Sequence, residues 1–116
     1  MNEFLITLED RPGSMAECCE AIGDAGINII AGAGLATSTE AAAAALVTDD
    51  ADGTSAALDE IGVTYTMRRL EIAVLQHTPG SLGVFARALA ENGINLGSLY
   101  IIKTDGEGVH VGYSTN

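Results

Sequence analysis

The sequence predicts an α+β fold built twice over: a βαββαβ unit followed by a shorter βαββ unit. Three observations carry this. The chain matches itself at an offset of 67 residues, with ten identities between residues 4–40 and 71–107. Each copy opens on an alternating apolar run and then changes to a helical period. The 116 residues, 47% apolar, are enough for one compact domain or two very small ones.

The repeat fixes the elements in order. Phe4-Leu5-Ile6-Thr7-Leu8 and Leu70-Glu71-Ile72-Ala73-Val74-Leu75 are strand-like. Each is followed by a turn ending in Pro-Gly-Ser, at Pro12-Gly13-Ser14 and Pro79-Gly80-Ser81, and these hold the only 2 prolines of the chain. A helix follows, with Met15, Cys18 and Ile22 on one stripe and Leu82, Phe85 and Leu89 on its counterpart. Ser14 and Glu17 have the spacing of a capping box. The helices stop at Gly26 and Gly93, where a left-handed residue is accommodated.

A second strand is expected over 27–37 and over 94–104, with Gly32 and Gly34 marking a bulge or a close backbone approach. Residues 40–47 are in conflict. Five consecutive alanines favour helix by local propensity, yet the repeat aligns them with the alternating run Gly108-Val109-His110-Val111-Gly112-Tyr113. The repeat outweighs propensity, and a third strand is expected. Residues 50–61 read as a second helix closed by Gly62, and Val63-Thr64-Tyr65-Thr66-Met67 as a fourth strand. The units are expected to be 1–69 and 70–116, the second without counterparts of the second helix and fourth strand.

Charge narrows the function. Sixteen acids against five bases give −11. That opposes binding to nucleic acid, whose affinity comes from neutralised phosphates, and to an anionic membrane surface. The residues up to 58 carry −9 and the remainder −2. A Lys-poor, acidic, Ala-rich chain resembles proteins of salt-loving (halophilic) organisms, in which salt screens the self-repulsion. The chain has no apolar run of membrane-spanning length and no basic leader at its start, so a cytoplasmic protein is expected. Cys18 and Cys19 are neighbours, pointing about 100° apart on a helix, and cannot clamp one ion. Only His77 and His110 could add further ligands of the usual zinc kind, so no metal or cofactor is expected. His110 reads as an ordinary strand residue. The acids Asp49, Asp50 and Asp52 lack the spacing and glycine of a calcium loop and read as a solvated turn.

A strand, the turn Glu9-Asp10-Arg11-Pro12-Gly13-Ser14-Met15, a helix and then Gly26-Ile27-Asn28-Ile29 resemble an ACT domain. His77-Thr78-Pro79-Gly80-Ser81-Leu82 with Gly93-Ile94-Asn95-Leu96 resembles a second. The resemblance covers nearly the whole chain as a tandem pair. It implies a ferredoxin-like βαββαβ fold, with an antiparallel sheet and both helices on one face. It also implies a regulatory module that binds a small amino acid at interfaces between units, rather than a catalyst.

The residues support such a site on physical grounds. A free amino acid carries a carboxylate and an ammonium. The helix start at Gly13-Ser14-Met15 offers N–H donors and the positive end of the helix dipole. Asp10 offers a carboxylate to the ammonium, and Arg11 a partner for the ligand's carboxylate. Asn28, beside Ile29, either links ligand to loop or ties the helix end to the next strand. In the second copy His77 stands for Asp10 and Thr78 for Arg11, with Gly80, Ser81, Leu82, Asn95 and Leu96 completing the set. His77 changes charge near neutral pH, so the two copies are expected to bind unequally. The alternative for both turns is that Pro-Gly-Ser merely starts the helix.

Without a fourth strand, residues 70–75 are left partly unpaired, and exposed edges attract partners. A homodimer or higher homo-oligomer is therefore expected. The output would pass to an amino-acid biosynthetic enzyme or regulator. A structural dimerising subunit without its own ligand is the second reading. An acylphosphatase-like hydrolase is the third, and it lacks the basic phosphate cradle such chemistry needs.

Overall fold

The computed structural model describes residues 1–36, 38 and 41–116. Thr37 and Glu40, two of the repeat identities, lie outside the described residues. The chain divides into two compact units, Met1–Arg69 and Leu70–Asn116.

The first unit runs β1 (Asn2–Glu9), α1 (Ser14–Asp24), β2 (Ile29–Ala36), β3 (Ala41–Thr48), α2 (Ala51–Ile61) and β4 (Thr64–Arg69). Its sheet has the order β2-β3-β1-β4 and every pairing is antiparallel. Alternation on β1 sends Phe4, Ile6 and Leu8 to one face. They pack there with Cys18 and Ile22 of α1, Leu58 of α2, and Ala44 and Leu46 of β3. One core thus takes residues from both helices and one sheet face. Ala44 and Leu46 lie directly opposite Ile6 and Phe4, so β3 is a strand despite its alanines. Tertiary pairing overrides local propensity.

The second unit runs β5 (Glu71–Leu75), α3 (Ser81–Glu91), β6 (Leu96–Asp105) and β7 (Gly108–Thr115). Its sheet has the order β5-β7-β6, again antiparallel. Leu70, Val109 and Val111 are buried, and Phe85 of α3 meets Tyr113 of β7 edge to face at 5.1 Å between ring centroids.

The repeat extends to the pairing register. Phe4 faces Leu46 and Leu8 faces Ala42. At the same offset, Glu71 faces Tyr113 and Leu75 faces Val109. A bulge between Ile29 and Ala31 recurs between Leu96 and Ser98. The copies part company at a further bulge between Ile101 and Lys103, present only in the second.

Of the two alternatives for the glycines of β2, Gly32 takes the close approach, since a Cβ there would stand 2.5 Å from the Ala45 carbonyl oxygen, while the bulge lies beside Ile30. Two other local expectations change. Ser14 and Glu17 form no capping box. Gly13 takes the cap position in the left-handed region at φ 93°, with no side-chain cap, and Glu17 turns to Arg11. The acidic stretch before α2 has structural work: Asp50 caps the helix by accepting from the Gly53 N–H at 3.0 Å.

Candidate ligand site at the strand-to-helix turn

The turn between β1 and α1 is built from its own backbone. Arg11 N–H donates to the Glu9 carbonyl at 3.0 Å, Ser14 N–H to the Arg11 carbonyl at 3.3 Å and Glu17 N–H to the Gly13 carbonyl at 2.9 Å. The buried Ser14 hydroxyl donates to the Glu9 carbonyl at 2.5 Å, locking the helix start to the strand end. The positive φ of Gly13 is a conformation that side chains with a Cβ rarely adopt.

This geometry leaves donors available. Among the described residues, the N–H groups of Met15 and Ala16 have no acceptor, as expected for a first helical turn. Asp10 is exposed and its carboxylate has no hydrogen bond or ion pair among the described residues. A groove of about 340 Å³ runs over these groups and is walled on its other side by Gly34, Leu35 and Ala36 of β2. Its size falls within the range of small-molecule sites.

Arg11 is engaged. Its guanidinium donates to Glu17 through Nη1 at 3.2 Å and Nη2 at 3.0 Å, and to Glu9 through Nε at 3.0 Å. The Glu17 carboxyl is held below its ordinary range, first by these hydrogen bonds and then by the positive charge. Arg11 therefore closes one end of the groove in an ion-pair cluster.

Asn28 and Ile29 stand apart from the groove. The Asn28 side chain donates to Asp49 Oδ2 at 3.1 Å, its backbone N–H donates to Asp49 Oδ1 at 3.1 Å, and its carbonyl accepts from Asp49 N–H at 3.1 Å. This ties the entry of β2 to the exit of β3. The aspartate that performs this task was invisible in the motif.

Comparison with known proteins bears on the fold. No family model matches the chain, and no curated protein matches it significantly. Solved structures do match. A Bacteroides thetaiotaomicron protein superimposes with a TM-score of 0.84 at 18% identity, over 99% of this chain and 78% of its own. The regulatory subunit of aspartate kinase from Thermus thermophilus gives 0.69 at 20% identity, covering 98% of this chain and 80% of its own. A structure of aspartokinase alpha and beta subunits gives 0.66 at 22% identity, covering 98% and 82%. The chain has an ACT-like fold.

The second ACT-like turn repeats the backbone hydrogen bonds of the first. Thr78 N–H donates to the Gln76 carbonyl at 2.9 Å, Ser81 N–H to the Thr78 carbonyl at 3.2 Å and Val84 N–H to the Gly80 carbonyl at 3.0 Å. Gly80 has φ 89°. The surroundings differ. An apolar groove of about 510 Å³ takes in Gly80 and Ser81 together with Val74, Val84 and Phe85. His77, Leu82, Asn95 and Leu96 do not line it. The Asn95 carbonyl accepts from Asn116 N–H at 2.9 Å, as Asn28 does from Asp49.

Two pairings escaped the motif reading. Arg68 donates from Nε to the buried Glu3 at 2.5 Å, across directly opposed positions of β4 and β1. At the β6–β7 hairpin, Asp105, Glu107 and His110 bring ligating atoms within 4.8 Å of one another. No helix among the described residues is long and apolar enough to cross a membrane.

Proposed function

We propose that the chain is a non-catalytic regulatory module that binds a small amino acid, or a metabolite with the same carboxylate and ammonium, at the β1–α1 turn. The observation that carries this is the pairing of unengaged opposites in one groove. The N–H groups of Met15 and Ala16 face a carboxylate need, and the Asp10 carboxylate meets an ammonium. Gly13 lets the ligand approach the backbone, and Ser14 holds the turn in place. The second turn, with His77 in place of Asp10, binds such a ligand less well or not at all.

The groove opens beside β2, the edge strand of its sheet. That strand has no charge or proline, and Leu35 on it is 69% exposed. Such an edge is a template for pairing. A second copy laid along β2 would complete the groove's outer wall, so ligand binding would bias association with a copy or a partner enzyme of amino-acid metabolism. The same edge also supports the second reading, a dimerising subunit without a ligand. The net charge is read as adaptation to high salt, which unfolding followed against KCl checks.

Backbone amide NMR with single amino acids separates the readings. Shifts concentrated at Gly13, Met15 and Ala16 support the ligand site. A spectrum unmoved by every amino acid, in a protein that still dimerises, favours the structural reading.

A further inference from the structure

We propose that Asp105, Glu107 and His110 form a binding site for a divalent transition-metal ion of the zinc or cobalt type at the β6–β7 hairpin. The site shares no residue with the ligand groove and does not depend on the function proposed above.

Strand geometry explains why these residues meet. Lys103 and Asp105 lie two apart on β6, so they share a face. The bulge after Ile101 sets Lys103 directly opposite His110, which places Asp105 on the diagonal of the same face. The first unit lacks this bulge. The chain then turns through Gly106 and Glu107 to Gly108, whose Cβ, if it had one, would run into the Leu75 carbonyl oxygen. The Glu107 N–H donates to Asp105 Oδ1 at 2.9 Å and fixes the aspartate.

The donor set points to a class of ion. His110 Nε2 stands 3.0 Å from Asp105 Oδ1. Two ligands at about 2.1 Å from one ion lie about 3.0 Å apart at a right angle and about 3.4 Å apart in a tetrahedron, so an ion can enter between them with little rearrangement. Its imidazole is largely buried, at 12% exposure, and so is held in place. The exposed Glu107 carboxylate, within 4.8 Å, supplies the third ligand by a side-chain rotation. One imidazole nitrogen and two carboxylates with open water positions suit zinc, cobalt or manganese more than magnesium or calcium, which prefer oxygen alone. Lys103 Nζ lies 3.4 Å from Asp105 Oδ2, leaving Oδ1 as the coordinating atom.

Zinc titration of the intact chain by calorimetry tests the site, in molar KCl so that diffuse attraction to the acidic surface is screened. One saturable zinc ion per chain is expected, undisturbed by millimolar magnesium. His110→Gln and Glu107→Gln should each weaken it at least about tenfold, the scale seen even for outer-shell changes. Glu107 is on an exposed turn, so its variant tests the ligand without risk to the fold. His77→Gln should leave binding unchanged. Absence of saturable binding overturns the proposal. So does equal binding by the Glu107 or His110 variant, or a loss on His77→Gln.

Discussion

Arg11 and Glu17 form a two-pronged ion pair across the first turn of α1, at 3.0 and 3.2 Å. The arginine that the motif offers to a ligand carboxylate is thus already neutralised by the protein. The Glu17 carboxyl is lowered by this pairing, so its contribution to stability is present above its unfolded pKa and is lost as pH falls through the lower, folded value. Both groups are exposed, so the contribution is small. In an NMR titration, Arg11→Ala should raise the Glu17 midpoint towards 4.5, its ordinary value. An unchanged midpoint would show that the pair does not persist in solution.

The buried Glu3 offers a test of the sheet. Arg68 approaches it from the opposed position on β4. Removing Arg68 takes the guanidinium from a fully buried carboxylate, at a cost of up to about 3 kcal/mol. Arg68→Ala should lower denaturant stability by about that amount. Replacing both by apolar residues, Glu3→Leu with Arg68→Met, should recover most of it. Equal loss in the single and double variants would place the effect elsewhere.

The adjacent thiols should behave differently. Cys18 is fully buried and burial pushes its thiol pKa up, whereas Cys19 is half-buried. Thiolate and access both govern reactivity. Iodoacetamide followed by peptide mapping should modify Cys19 and spare Cys18 in the native protein. Equal labelling would contradict the packing of α1.

Much of the fold was legible because one sequence carried two copies. The match of Pro12-Gly13-Ser14 to Pro79-Gly80-Ser81 placed both turns, and the alignment of the alanine run with β7 overruled helix propensity correctly. What stayed hidden depends on register over long separations. Glu3 meets Arg68 across 65 residues, and Asn28 meets Asp49 across 21. Nothing local signals either pairing. The Ser14 and Glu17 spacing misled because Gly13 adopts a left-handed conformation, which turns the Ser14 hydroxyl back to the strand. The hairpin cluster depends on a bulge that the repeat itself does not contain.

Thermal unfolding against amino-acid concentration, in high KCl, tests the central claim most directly. At least one amino acid should raise the unfolding temperature progressively, as mass action requires, reaching about 2.7 kcal/mol at a hundredfold excess over its dissociation constant. Asp10→Ala should fold normally, since the Asp10 carboxylate has no partner among the described residues, and should lose most of that stabilisation. A temperature that no amino acid moves, or a shift that survives Asp10→Ala intact, would contradict the account.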